Sequence, residues 1–185
     1  DQSGPTIQGV DIEKAFDRVT HKSLMYMLMD RKVPAQLIVA ILVEYVNAEL
    51  EIHLGHRSMA CVVLQRGVKQ GSPLSSLLFE LVTDWIQSRA ILRWKKDNIG
   101  VHMSWEEPID EAVLLGKDTL VDLCFADDET LIARNVNDLQ DMLDKVVFDL
   151  AKVGLKVSPS KTEWMGVNVG ESWKLLMNGG LVPPK

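Results

Sequence analysis

The chain has 185 residues, of which 46% are hydrophobic and 25% are charged, so it is long and apolar enough for one domain with its own core. This composition excludes an intrinsically disordered chain, and no apolar run approaches the roughly 18 to 20 residues that cross a bilayer. The formal net charge of −6 opposes a nucleic-acid partner, because phosphate binding depends largely on Lys and Arg.

The first third of the chain predicts one strand, two helices and a hairpin. Residues 7–10 form a short strand-like run that leads to Asp11. Thr20 can cap a helix, and Pro34 can occupy the first turn of a second helix. Alternating apolar and polar residues predict a hairpin over residues 50–64. The helices are expected to bury Leu24, Met27 and Leu28 in the first and Leu37, Ile38, Ile41, Leu42 and Tyr45 in the second.

A long helix and a second hairpin follow in the middle of the chain. Ser72 and Pro73 start the helix, in which apolar residues recur with a 3.6-residue period. The apolar runs 120–124 and 131–133 predict the two strands of the hairpin, which carries two adjacent carboxylates at its tip. The helix is expected to bury Leu74, Leu77, Leu78, Leu81, Val82, Trp85 and Ile86.

The last part of the chain predicts a core helix and a final strand. The helix carries the clearest apolar stripe of the chain and is closed by Gly154. Residues 161–169 predict the strand. Together, the elements predict an α+β fold in which helices back an antiparallel sheet. The apolar stripe consists of Leu139, Met142, Leu143, Val146, Val147 and Leu150.

The two cysteines, Cys61 and Cys124, lie far apart in the sequence, each within an apolar, strand-like run. This spacing indicates neither a C-x-x-C redox pair nor a Cys-rich zinc site. We expect both thiols to be buried and reduced, which is typical of an intracellular protein of the nucleus or the cytoplasm. The amino-terminal residues have no signal-peptide pattern, and no membrane partner is expected.

The most informative segment is Phe125-Ala126-Asp127-Asp128 at the predicted hairpin tip. Two neighbouring carboxylates near a core repel each other and lose hydration, so ionising both is costly unless a cation lies between them. A third carboxylate, from Asp11, would complete a two-metal site, in which ions about 3.5–4 Å apart activate an attacking oxygen and stabilise a leaving one. The alternative is an ordinary turn pair and an aspartate at the end of a strand.

Four segments stand in a fixed order along the chain. They are DIEKAFDRV from residue 11, RGVKQGSPLS from residue 66, FADD from residue 125, and GLKV with KT from residues 154 and 161. In this order and spacing they resemble the A, B, C and D motifs of reverse transcriptases of the non-LTR (LINE-type) retrotransposon class. The resemblance spans residues 6 to 166, which is most of the chain.

The resemblance implies a polymerase palm, an antiparallel sheet backed by helices, over residues 1–169, with fingers-type helices within residues 20–65. Residues 170–185 are a tail without an assigned role, and we expect the chain to be a fragment of a longer polypeptide. The implied activity is RNA-directed DNA polymerase. The implied partners are an RNA template, a DNA primer, deoxynucleoside triphosphates and the fingers and thumb of the parent chain, which would supply much of the basic surface.

The resemblance also implies roles for individual residues. Asp11, Asp127 and Asp128 would be the catalytic ligands of Mg²⁺, for which Mn²⁺ can substitute, and Lys161 would approach the leaving pyrophosphate. Phe16 would lie beneath the sugar of the incoming nucleotide and exclude a 2′-hydroxyl by its shape. Substrate binding is also expected of the glycine-containing loop before the long helix, through Arg66, Gly67, Lys69, Gln70 and Gly71.

Three alternatives remain at this stage. The first is a non-catalytic palm remnant with a structural or RNA-binding role, which the acidic charge favours and the three aspartates oppose. The second is a group II intron-type maturase, which would share the palm and act in RNA splicing. The third is an unrelated α+β metal-dependent hydrolase, which predicts that Asp11 lies far from Asp127.

Overall fold

The structure is a computed structural model that describes residues 4–46, 48–55, 57–97, 99–102, 119–125, 128–167 and 173–185. The chain divides into two compact units. The first unit comprises Asp1–Glu13, Ile86–Ala151 and Lys156–Lys185, and the second comprises Lys14–Trp85 and Lys152–Leu155. None of the helices within the described ranges is both long and apolar enough to span a bilayer.

Strands and helices are numbered here in chain order. They are β1 (Thr6–Asp11), α1 (Ala15–Arg18), α2 (His21–Asp30), α3 (Ala35–Val43), β2 (Glu49–Leu54), β3 (Arg57–Val63), α4 (Pro73–Lys96), β4 (Val101–His102), β5 (Thr119–Leu120), β6 (Asp122–Phe125), β7 (Asp128–Ala133), α5 (Val136–Lys152), β8 (Glu163–Gly166), β9 (Leu175–Met177) and β10 (Gly180–Val182). This order confirms the predicted α+β fold and the two predicted hairpins.

The main sheet lies in the first unit and has the strand order β6-β7-β1-β8. Its strands are all antiparallel, with β1 paired to β7 on one side and to β8 on the other. Side chains along β1 alternate between the two faces, because successive residues of a strand point in opposite directions. Thr6, Gln8 and Val10 are buried on one face, whereas Ile7 and Gly9 lie on the exposed face.

Helix α5 forms as its apolar period predicts. Asn135 caps its start, since Asn135 Oδ1 accepts a hydrogen bond from the backbone N–H of Asp138 at 2.9 Å. Gly154 follows the helix with φ +88°, and a Cβ there would lie 2.8 Å from the carbonyl oxygen of Arg18, so no other residue fits without a shift. The stripe residues Leu139, Met142, Leu143, Val146 and Leu150 are all buried, and Val147 is half-buried.

Helix α4 follows its predicted face only in part. Leu78 and Val82 are buried as predicted, whereas Leu74 and Leu77, both expected inside, are exposed. Ser75 and Phe79, which were not predicted to face inward, are also buried. The hydroxyl groups of Tyr45 and Ser75 lie 3.1 Å apart in a buried hydrogen bond. Because Tyr45 satisfies the hydroxyl group of Ser75, a polar residue can occupy an inward position of α4, which side-chain hydrophobicity alone does not predict.

Helix α2 follows its prediction, and α3 does so only in part. Thr20 caps α2 by accepting from the backbone N–H of Ser23 at 3.2 Å, and the three predicted residues of α2 are buried. In α3 the expected inward residue Leu37 is exposed, while Ile38 is buried, as is Tyr45 just beyond the helix. All residues of this helix except Gln36 are apolar, so its period could not distinguish the buried face.

The prediction of two buried thiols is wrong. Cys61 and Cys124 form no disulfide, as expected, but both side chains are exposed. Cys61 lies on a two-stranded hairpin and Cys124 on β6, an outermost strand of the main sheet. An apolar run therefore does not imply burial at these positions.

Residues 173–185, which belong to the tail without an assigned role, form the hairpin β9–β10 in the first unit. The indole N–H of Trp164 donates to the carbonyl oxygen of Val182 at 3.3 Å. The side chain of Gln140 accepts a hydrogen bond from the backbone N–H of Leu176 and donates one to its carbonyl oxygen. Leu175, Met177 and Val182 are buried.

The predicted strand over residues 161–169 is shorter than expected, since β8 ends at Gly166, and residues 168 and 169 lie outside the described residues.

Candidate active site

Two of the three predicted catalytic carboxylates meet across a pair of strands. Asp11 ends β1, Asp128 begins β7, and the two residues are direct partners in the antiparallel register. Side chains of directly opposed residues lie on one face of a sheet with Cβ atoms about 4.5–5.5 Å apart. Asp127 precedes Asp128 in the chain and lies outside the described residues. The register opposes the hydrolase alternative, in which Asp11 would be remote from this hairpin.

The carboxylate of Asp11 has an unusual environment. Its Oδ1 atom is buried and accepts no hydrogen bond from any part of the chain that the structure describes. A buried carboxylate oxygen without a donor is costly, so its environment favours a cation. Carboxylate oxygens are the ligands that Mg²⁺ prefers, and the Asp11 and Asp128 pair therefore fits a divalent ion. Within the described residues no cluster of three acidic, His or Cys side chains could hold a metal, so a third carboxylate would have to come from elsewhere.

Lys161 forms an ion pair with this carboxylate. Its Nζ atom lies 3.6 Å from Asp11 Oδ1, beyond hydrogen-bond distance but within the range of an ion pair. The turn that carries Lys161 is fastened by Thr162, whose backbone N–H and hydroxyl both donate to the carbonyl oxygen of Ser158. Lys156, the other lysine of the D segment, pairs with Glu13 at 3.5 Å.

A buried carboxyl that sequence reasoning missed lies beside the pair. Glu129 follows Asp128, faces the opposite side of the sheet and is only 4% exposed. Its Oε2 atom accepts a hydrogen bond at 3.0 Å from the amide of Gln87, which is 3% exposed. Burial raises the pKa of Glu129 to about 7; the Gln87 hydrogen bond lowers this pKa, and the charge of Asp122 raises it. The alternation of side chains along the strand that follows the acidic tip could have predicted that Glu129 points toward the interior.

The predicted nucleotide-contacting residues all lie in the second unit. Phe16 belongs to the single-turn helix α1, and its ring stacks on that of Phe79 with the centroids 5.1 Å apart. In the loop before α4, Arg66 is exposed and Gly67 has φ +91°. Gly71 also has a positive φ, +83°, so both glycines adopt backbone conformations that other residues rarely do.

Two polar side chains of the same loop have partners within the second unit. Lys69 forms an ion pair with Glu44 at 3.1 Å. The side-chain amide of Gln70 donates to Asp17 Oδ1 at 3.0 Å. Asp17 belongs to the A segment and Gln70 to the B segment, so this contact joins the two segments.

Comparison with known proteins identifies similar sequences and folds. The model of the family "Reverse transcriptase (RNA-dependent DNA polymerase)" matches residues 2–174. The chain is 32% identical over 152 residues to the retrovirus-related Pol polyprotein from the type-1 retrotransposable element R2 of Nasonia vitripennis, covering 82% of the chain and 13% of that protein. It is 32% identical over 161 residues to the corresponding polyprotein of the type-2 element R2DM of Drosophila melanogaster, covering 87% of the chain and 14% of that protein.

The fold is similar to that of a solved telomerase. The structure of telomerase from Candida tropicalis in complex with a fragment of telomeric RNA superposes with a TM-score of 0.63 at 16% sequence identity. The superposition covers 94% of this chain and 27% of the telomerase chain. At this identity the similarity concerns the fold alone. The chain thus spans a small part of the proteins that it resembles.

Proposed function

The chain belongs to the reverse transcriptase family, in the non-LTR retrotransposon class, and we propose that it is the core of an RNA-directed DNA polymerase. In this proposal it extends a DNA primer on an RNA template with deoxynucleoside triphosphates. The relatives are Pol polyproteins of retrotransposable elements, and the telomerase of similar fold was solved with RNA, which supports an RNA partner. The fingers and thumb of a longer parent chain would complete the grip on nucleic acid.

The observation that carries the proposal is the pairing of Asp11 with Asp128, together with the buried Asp11 oxygen that lacks a hydrogen bond. Asp11, Asp127 and Asp128 would hold divalent ions, Mg²⁺ or in its place Mn²⁺. When bound, these ions would lower the pKa of the primer 3′-hydroxyl and neutralise charge that develops on the departing pyrophosphate. The antiparallel register keeps Asp11 and Asp128 on one face of the sheet, so both can contribute oxygen atoms to one site.

Other residues of the chain have supporting roles in the proposal. Lys161 carries a positive charge beside Asp11 and would approach the leaving pyrophosphate as a cation or proton donor. The flat ring of Phe16 would collide with a 2′-hydroxyl and thereby select deoxynucleotides. Loop residues Arg66, Gly67, Lys69, Gln70 and Gly71 would contact the nucleotide or the template.

The function is tested by primer extension. The chain is incubated with a DNA primer on an RNA template, the four deoxynucleotides and Mg²⁺ or Mn²⁺, and the products are separated by length. The proposal predicts extension that requires both the template and the divalent ion. A folded protein that extends no primer under any of these conditions would instead support the non-catalytic palm.

Replacing Lys161 by Ala is expected to slow nucleotide addition by about a hundredfold, because a cation near the leaving group is lost. Stability should change by no more than about 0.5 kcal/mol, because the ion pair with Asp11 is largely exposed on the lysine side. Single-nucleotide addition under single-turnover conditions measures the rate. Lys156→Ala is the matched control and should retain the rate of the unmodified chain. The assignment fails if Lys156→Ala is the slower variant.

A further inference from the structure

The ring of Phe16 is held by a second aromatic ring. The two rings stack with an interplanar angle of 25°, and Phe79 is fully buried in helix α4, whereas Phe16 is half-buried. Phe79 therefore covers part of the Phe16 ring and leaves the rest accessible. Because Phe79 itself has no exposed surface, it can influence a bound molecule only through the residues that it contacts.

The backbone around Phe16 is also fixed from outside its own helix. The carbonyl oxygen of Phe16 accepts a hydrogen bond from the N–H of Val68 at 2.7 Å, and that of Val19 accepts from the N–H of Gly67, also at 2.7 Å. A ring nitrogen of His21 lies 3.0 Å from the carbonyl oxygen of Gly67. The loop before α4 and the segment that carries Phe16 are thus joined through main-chain groups.

The approach of these two segments is close. A Cβ at Gly67 would lie 2.9 Å from the carbonyl oxygen of Asp17, so only glycine lets the loop approach this far. The side-chain amide of Gln70 also donates a hydrogen bond to Asp17 Oδ1 at 3.0 Å. Helix α1 has only four residues and follows Lys14 in the left-handed region, with φ 48°. One turn is not stable alone, so these outside contacts determine where Phe16 lies.

We propose that Phe79 is a positioning residue for sugar selection, which holds the ring of Phe16 at the height and tilt needed to exclude a 2′-hydroxyl. This inference rests on the proposed polymerase function, and it assigns to a buried residue a part of the specificity for deoxynucleotides. Exclusion by shape requires a ring that cannot turn aside, and the stack restrains rotation of Phe16 about its side-chain bonds. Without the stacked ring, Phe16 remains in the chain but loses this restraint.

The test compares the addition of a single dATP and a single ATP to the same primer and RNA template. The measured quantity is the ratio of kcat/KM for dATP to kcat/KM for ATP. In Phe79→Leu, which keeps an apolar side chain but removes the ring, the ratio is expected to fall by about two- to tenfold. Phe16→Val should lower the ratio further, by about 10- to 200-fold, because the excluding ring itself is gone.

The ratio separates positioning from general damage, because loss of folded protein lowers both rates equally. Phe79→Met provides a second ring-free variant if Phe79→Leu does not fold. Circular dichroism checks that each Phe79 variant is folded. Leu24→Val is the matched control, a fully buried apolar residue of helix α2 in the same unit, and it should keep the ratio of the unmodified chain.

Each outcome has a distinct meaning. A ratio that falls in the Phe79 variants and in Phe16→Val, but not in Leu24→Val, supports the inference. A ratio that falls only in Phe16→Val overturns the role of Phe79 and leaves the polymerase proposal standing. An unmodified chain that is folded and adds neither nucleotide contradicts the polymerase function, and the inference with it.

Discussion

Replacing Asp11 by Asn is expected to abolish primer extension, with a loss of at least about a thousandfold, while the chain stays folded. The amide has the same shape but no negative charge, so the site loses a ligand for the divalent ion and several kcal/mol of charge stabilisation in the transition state. The backbone of Asp11 keeps its place, since its carbonyl oxygen still accepts from the N–H of Ser158. Single-turnover extension measures the loss, and thermal unfolding checks the fold.

The matched control for this variant is Asp141→Asn. Asp141 is an exposed aspartate on helix α5 of the same unit, and its removal changes the net charge by the same amount. Extension should persist in the control, whereas Asp127→Asn and Asp128→Asn should behave like Asp11→Asn. If Asp11→Asn unfolds the chain, the carboxylate has a structural role and the assignment to catalysis loses its support.

Replacing Glu129 by Gln is expected to raise the free energy of unfolding by about 3 kcal/mol at pH 8 in buffer without divalent ions. Burial raises the pKa of Glu129 from 4.5 to about 7 in the folded chain, so the folded state holds a proton that the unfolded state releases. The contribution of Glu129 to stability therefore falls as pH rises from about 4.5 to about 7 and is constant above. At about 1.4 kcal/mol per pKa unit, the shift corresponds to the stated gain.

Urea unfolding at a series of pH values from 4.5 to 8 measures this effect. The two proteins should be equally stable at pH 4.5 and diverge up to pH 7, because Gln carries no proton that titrates. Glu163→Gln serves as the control, since Glu163 is an exposed residue of β8 in the same sheet, and its pH dependence should match that of the unmodified chain. Parallel curves for the Glu129→Gln variant and the unmodified chain would contradict the buried state of this carboxyl.

Strong periodicity made much of the fold predictable. The apolar stripe of α5 has one clear face, and its capping residues stand at both ends, so local pattern and tertiary packing agree. The hairpin at the acidic tip follows from two apolar runs separated by turn residues. The pairing of Asp11 with Asp128 is different, because the two residues are far apart in the sequence and no local pattern determines their register. Here the order of the four motifs supplied the expectation.

Where the predictions failed, tertiary partners decided the outcome. The buried hydroxyl pair of Tyr45 and Ser75 places a polar residue at an inward position of α4, and a hydrophobic period cannot reveal such a pair. Helix α3 is apolar except at Gln36, so the neighbouring elements determine that Ile38 is buried and Leu37 exposed. The exposed Cys124 depends on the position of β6 at the edge of the sheet, which is a property of the whole fold.

The site was predictable to a similar extent. The acidic residues follow from their motifs, and strand alternation could have indicated that Glu129 points inward. Its partner Gln87 could not be predicted, because it comes from a helix 42 positions earlier in the sequence. Which of the two D-segment lysines lies beside Asp11 also depends on the fold, since Lys161 pairs with Asp11 whereas Lys156 pairs with Glu13.

The most direct test of the central claim is single-turnover extension of a DNA primer on an RNA template, with the unmodified chain and Asp11→Asn measured side by side in Mg²⁺ and in Mn²⁺. The proposed function predicts extension by the unmodified chain with either ion, none after chelation, and none by the folded variant. Equal extension by the two proteins would contradict the assignment of the Asp11 and Asp128 pair as the catalytic centre.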